Sequence, residues 1–346
     1  MAEDRHRAEA AHGGGSMTIV RGALAAALAL GLVVAPVAVG AQPPGKVYRI
    51  GVLGDKAADS NEILAWQTFR EGLREHGWKE GVNIRIESRW VEGDVARLPE
   101  MAAELVRLKP DLIATRGSIF TGALKAATSS IPIVFLGHAD PVETGHVASL
   151  ARPGGNITGM AVLQTEIGPK CLELLHAAVP AATRIAVLWH AGSPSTTPGL
   201  KALEEPARLL RLDLQPVGAR TAADLDGAFS SMARRGAQAL LVFNTVPFTV
   251  ARQRIAELAM AHRLPTVVQG RQFAEAGGLI SYYHTGEETW RRATVYVDKI
   301  LRGAKPADLP VEQVTKFELV INMKTAKALG VTIPSSLLLR ADQVIQ

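Results

Sequence analysis

Arg49-Ile-Gly-Val-Leu53 decides how this chain is read, because Arg184-Ile-Ala-Val-Leu188 repeats it. Each is a short aliphatic run, the pattern of a strand buried on both faces of a parallel sheet. After the first run, Asp59 with Glu62 forms a helix-capping pattern. Ile63, Trp66, Phe69 and Leu73 then recur at helical spacing, and Gly77 ends the segment. A strand at 83–90 follows, then a helix carrying Leu98, Met101, Leu105 and Leu108 that stops before Pro110. Strands at 112–115 and 131–136, with a short helix around 120–127, complete the series. The same order then returns. Gln238-Ala-Leu-Leu-Val-Phe243 answers Asp111-Leu-Ile-Ala-Thr115, and Pro265-Thr-Val-Val268 answers Pro132-Ile-Val-Phe135, displaced by about 130 residues. Residue identity between the copies is weak. Their shared order and spacing predict two doubly wound α/β lobes, each a parallel sheet with helices on both faces.

The halves are joined by Arg152-Pro-Gly-Gly-Asn-Ile-Thr-Gly159, a turn-rich crossing. The chain is expected to return near Glu275-Ala-Gly-Gly-Leu-Ile-Ser281 into a last helix at 287–301, and to cross again around 309–315. Several crossings acting as one hinge are what a clamshell requires. The expected division is residues 46–155 with 282–312 in one lobe and 156–281 with 313–346 in the other. The hinge is expected at Asn156, Gly159, Gly277 and Gly278.

The first forty residues read as an export signal. Gly22 to Val39 is an uninterrupted apolar run behind Arg21, and Val39-Gly40-Ala41 supplies small residues for a signal peptidase. Cleavage is expected after Ala41. The stretch before Met17 reads as an upstream extension. A lipid anchor is ruled out because the one cysteine is Cys171. Removing residues 1–41 takes away three basic and three acidic residues, so the net charge stays at +5. Export points to the periplasm.

The 346 residues suit about two domains. With 47% hydrophobic and 21% charged residues, the chain can bury a sizeable core. One cysteine excludes an internal disulfide framework, a cysteine-rich zinc site and an iron–sulfur cluster. The positive charge is scattered, with no basic run and no basic face interleaved with aromatics, so nucleic acid is not the expected partner. There is no phosphate loop, no G-x-G-x-x-G after the first strand, no G-x-S-x-G elbow and no H-E-x-x-H. Cys171 reads as a buried, inert thiol. His138, Asp140 and His146 are near one another in sequence but read as loop polarity rather than a metal site. Asp111, Asp224 and Asp226 read as residues that cap or flank elements. No catalytic residue, metal or cofactor is expected.

A ligand cleft is the better reading, because open parallel sheets bind ligands outside the carboxyl ends of their strands. In the first half those ends carry Gly54, Asp55, Arg116, Gly117, Ser118, His138 and Asp140. In the second they carry His190, Ser193, Asn244, Thr245 and Gln269. Gly117-Ser118 precedes a helix, whose N–H groups suit a carboxylate. Asp140 suits an ammonium group. Tyr282, with Tyr283 beside it, is a candidate to stack on a ring.

At Val47–Leu53, Ile131–Phe135, Asp140-Pro-Val142, Ala148–Gly159 and Glu275–Tyr282, the chain resembles a known family. The resemblance continues through Tyr296–Glu312, Lys316–Asn322 and Leu337–Asp342. The family is the ABC-transporter substrate-binding proteins, in the group that includes the tryptophan- and tyrosine-binding TrpX-type proteins. The resemblance covers nearly all of the chain after the signal. It implies a type I periplasmic-binding-protein fold, two lobes that close on a small solute, delivery to an inner-membrane permease, a monomer and no catalysis. Two features depart from the family pattern. Arg116 replaces a small or polar loop residue, and Tyr283-His284 replaces a common glycine-proline. An exported sensor or accessory protein, and an exported α/β enzyme, are the other classes the residues leave open.

Overall fold

The computed structural model describes residues 46–55, 60–284 and 286–346. The expected signal segment and the Asp59 cap lie outside the described residues. From Tyr48 onward the chain alternates strands and helices. β1 (Tyr48–Gly54), α1 (Ser60–Glu75), β2 (Ile84–Trp90), α2 (Leu98–Arg107), β3 (Leu112–Thr115), α3 (Ser118–Ala127), β4 (Ile133–His138) and β5 (Ile157–Ala161) build the first lobe. The second lobe follows with α4 (Gln164–Ala178), β6 (Arg184–His190), α5 (Thr196–Leu210), β7 (Asp213–Ala219), α6 (Leu225–Arg234) and β8 (Ala239–Val242). It continues through α7 (Val246–Val250), α8 (Arg252–Ala261), β9 (Thr266–Val268), α9 (Arg271–Glu275) and β10 (Ile280–His284). The chain then returns to the first lobe as α10 (Gly286–Leu301) and β11 (Glu312–Gln313). It ends in the second with β12 (Phe317–Asn322), α11 (Met323–Leu329), α12 (Ser335–Leu338) and β13 (Gln343–Ile345).

Among the described residues, one sheet has six strands in the order β11-β5-β4-β3-β1-β2, and the other seven in the order β13-β12-β10-β9-β8-β6-β7. The first is parallel throughout. In the second, β12 runs antiparallel to β10, with Phe317 opposite His284. The expectation of purely parallel sheets is corrected there. β11 runs towards the end of its sheet that faces the other lobe, so the chain re-enters the second lobe at that same end and must run back down beside β10. The central strands are buried on both faces, which is why they read as continuous apolar runs. One buried apolar cluster runs from Ile50 and Val134 in the first lobe through Met160 and Val162 to Ile185 and Val187 in the second.

The crossings fall later than the sequence suggested. β5 is a strand of the first sheet and β10 a strand of the second, so the lobe boundaries expected at residues 156 and 282 move to about 162 and to the junction of β10 with α10. The four expected hinge residues therefore lie inside lobes. The Asn156 side-chain amide donates to the carbonyls of Ile131 (2.7 Å) and Thr128 (3.3 Å), fastening a first-lobe loop. Gly159 sits within β5 at φ 145°, where a Cβ would run into the backbone of Phe135. It is glycine because β4 passes too close for anything larger. Gly277 and Gly278 form the turn between α9 and β10. One further detail differs at α1. Trp66, Phe69 and Leu73 are buried as expected, but Ile63 is 50% exposed.

Candidate functional site

The carboxyl ends of both sheets face a single cavity of about 430 Å³, a size suited to a small solute. Its first-lobe wall is Arg116, Gly117 and Ser118 between β3 and α3, with Leu136, Gly137, His138 and Ala139 at the end of β4. Its second-lobe wall is Asn244 and Thr245 after β8, Thr249 of α7, Arg271, Gln272 and Glu275 of α9, Tyr283 and His284 of β10, and Glu318 of β12. The first turn of α10 adds Glu287 and Trp290, and α1 adds Leu64.

Six of the residues named from sequence line this cavity: Arg116, Gly117, Ser118, His138, Asn244 and Thr245. The Arg116 guanidinium lies over the Trp290 ring, 5.4 Å from its centroid, a cation–π arrangement. Gly117 has φ 82°, which turns the chain so that Ser118 begins α3 at the cavity wall. His138 is fully buried, and its Nε2 is 2.6 Å from Nδ1 of His146. Desolvation, then the neighbouring His146, holds the His138 imidazole well below its usual range. Burial and the nearby Lys125 ammonium lower His146 to about 4. The cavity floor thus rests on an uncharged imidazole pair at neutral pH. The Thr249 hydroxyl donates to the Asn244 side-chain oxygen at 2.7 Å. The Thr245 hydroxyl is buried with no partner among the described residues.

The other seven do not line the cavity. Asp55 accepts the Gly93 N–H at 2.7 Å and ties down the loop after β2, while Gly54 packs against Trp90. Asp140 accepts from both the backbone N–H (3.2 Å) and the hydroxyl (2.6 Å) of Thr165, so it braces the start of α4. Burial raises its carboxyl pKa, partly offset by those two bonds. His190 donates from Nε2 to the Arg220 carbonyl and accepts the Gly192 N–H at Nδ1, an arrangement that fixes a neutral ring as a loop brace. The Ser193 hydroxyl meets that of Ser118 at 3.2 Å. Gln269 is buried behind Asn244. Tyr282 stacks on Phe317, ring centroids 5.5 Å apart, on the face of β10 away from the cavity. Strand alternation puts its neighbour Tyr283 on the cavity face instead. Burial pushes the Tyr283 phenol up to about 12, against a smaller downward pull from Arg116 and a hydrogen bond from Asn244.

Sequence reasoning does not single out Trp290, Glu275, Glu287, Glu318 or Leu64. Most of them lie on helices, outside the strand-end loops where the fold rule places a ligand. Arg271 holds Glu275 at 3.0 Å and Glu318 at 3.3 Å. Among the described residues no group of three or more metal-ligating side chains occurs, and no helix is long and apolar enough to cross a membrane.

Residues 59–345 match the family model of the ABC transporter substrate binding protein. The chain belongs to that family. A tyrosine-binding protein of Clostridioides difficile (strain R20291) is 28% identical over 263 residues, three quarters of each chain. A structure of an ABC domain in complex with L-Trp from Streptococcus pneumonia is 25% identical, with a TM-score of 0.80 over 87% of this chain and all of that one. The ligand-free, open structure of a substrate-binding protein with adhesive properties from Clostridium difficile is 24% identical, with the same coverage and a TM-score of 0.61. The fold of this substrate-binding protein is therefore that of the type I periplasmic binding proteins, two α/β lobes facing a shared cleft.

Proposed function

We propose that this protein captures an aromatic amino acid between its lobes and delivers it, as an exported monomer, to the permease of an ABC importer. The observation that carries this reading is the composition of the cavity wall. One lobe offers the N-terminus of α3 with Arg116, suited to a carboxylate. Trp290 and Tyr283 offer aromatic surface for a ring, and Glu287 offers a carboxylate for an ammonium group. Asp140, engaged with Thr165, is replaced by Glu287 in that role. The tyrosine-binding and L-Trp-bound relatives support the same solute class.

Closure is part of the reading. At nearly equal identity, the lobes match the L-Trp complex better than the ligand-free open structure, with TM-scores of 0.80 and 0.61. The hinge then lies at the crossings near residues 162–164, between β10 and α10, and near residues 314–316 rather than at the glycines. Closed-state contacts to the solute shift the population towards closure. The apolar run at Gly22–Val39 supports export.

The test is thermal unfolding of the protein after a denature–refold cycle that strips ligand, across amino acids, purines, small carboxylates and sugars. A ligand at a hundred times its Kd adds about 2.7 kcal/mol. The expected result is a raised Tm with tyrosine, tryptophan or phenylalanine. A shift confined to sugars or purines would overturn the solute class.

A further inference from the structure

Ser118 begins α3 in the first lobe, whereas Ser193 and Ser195 lie in the loop from β6 to α5 in the second. Their hydroxyl oxygens form a triangle. Ser118 is 3.2 Å from Ser193 and 3.1 Å from Ser195, and the last two are 2.9 Å apart. All three residues are buried, at 5%, 8% and 6% exposure. A hydroxyl has one donor and accepts readily. Arranged head to tail, the three satisfy every donor with no solute and no water. Two sides of the triangle cross between the lobes, and Gly117 sits beside Val246 of the opposite lobe at the same place. Ser118 lines the solute cavity; Ser193 and Ser195 do not.

We propose that Ser193 and Ser195 are positioning residues that act through Ser118 as an inter-lobe latch, holding the cleft shut whether or not a solute is present. The proposal rests on the closure reading above. Opening the lobes breaks both crossing bonds and hydrates the hydroxyls, so the latch favours only the closed state. It therefore slows solute release, and slows solute entry only in proportion to the ligand-free protein that is closed. It also gives the ligand-free protein a closed population. Loss of two neutral hydrogen bonds corresponds to about a tenfold change in an equilibrium constant.

The test compares the full chain with Ser193→Ala/Ser195→Ala. Ser195 flanks α5 without making a side-chain cap, so the change does not uncap that helix. Ala126→Cys and Lys201→Cys, exposed positions on α3 and α5, carry spin labels, and pulsed electron resonance reads the distance between lobes without ligand. The expected result is a closed-distance fraction in the serine protein that falls several-fold in the double variant. Stopped-flow release of L-tryptophan or L-tyrosine is expected to quicken about tenfold, with the association rate within twofold. An unchanged distance distribution would overturn the latch, as would a ligand-free serine protein with no closed fraction. If neither amino acid binds, the solute reading fails separately and the ligand-free distances alone decide the latch.

Discussion

In the proposed solute site, Trp290 and Arg116 are the pair on which recognition turns. Replacing Trp290 with Ala removes the aromatic face and the partner of the Arg116 guanidinium together. Affinity for an aromatic amino acid is expected to fall at least tenfold by calorimetry, with a cost on the order of 2 kcal/mol. Tyr282→Ala, by contrast, is expected to lower Tm through its lost stacking on Phe317 while leaving affinity within about threefold. Asp140 gives a prediction of opposite sign to an acid held in a salt bridge. Its folded pKa is raised, so the folded state holds its proton to higher pH than the unfolded chain, and its contribution to stability declines as pH rises through that window. Asp140→Asn keeps an oxygen for Thr165 and removes the buried charge. Its Tm is expected to exceed that of the Asp140 protein at pH 7, with the gap closing as pH falls. The strand-end rule found Arg116, Ser118 and Asn244 from sequence because glycine and polar residues follow apolar strands there. It chose Tyr282 over Tyr283 because the facing of a strand residue is set by register, which a single sequence does not display.

At the scale of elements, strands and helices were legible because their burial leaves a mark at period two or as apolar runs. β3 falls on the residues expected, and the repeat of order between lobes matches the two sheets. What was not legible was membership. β5 and β10 lie next to glycine-rich turns that look like hinges, and only pairing with β4 and β9 assigns each to its sheet. Gly159→Ala makes the distinction measurable. A Cβ at φ 145° against the Phe135 backbone is expected to cost at least about 3 kcal/mol in urea unfolding, because the strands must separate. A hinge glycine would instead alter closure with little loss of stability. The imidazole pair behind β4 adds a pH dependence. His146 stays neutral in the fold down to about 4, so the unfolded chain takes up its proton first and stability is lost as pH falls from about 6.5 towards 4. His146→Gln is expected to flatten that part of the stability profile.

At the scale of the molecule, two sheets present their carboxyl ends to one space, and the chain passes between them three times. In the proposed clamshell those crossings are the hinge, and closure brings the wall residues of the two lobes together. The net charge of +5 is spread over the surface and does not identify the solute. The proposed solute class rests instead on the cavity wall, which joins a cation, carboxylates and aromatic rings within about 430 Å³. The most direct measurement is isothermal titration of ligand-stripped protein with L-tyrosine and L-tryptophan, run in parallel on Trp290→Ala. The account expects one solute per chain in the parent protein and binding weakened at least tenfold in the variant. Absence of heat with either amino acid, or equal affinity in both proteins, would contradict capture of an aromatic solute in this cleft.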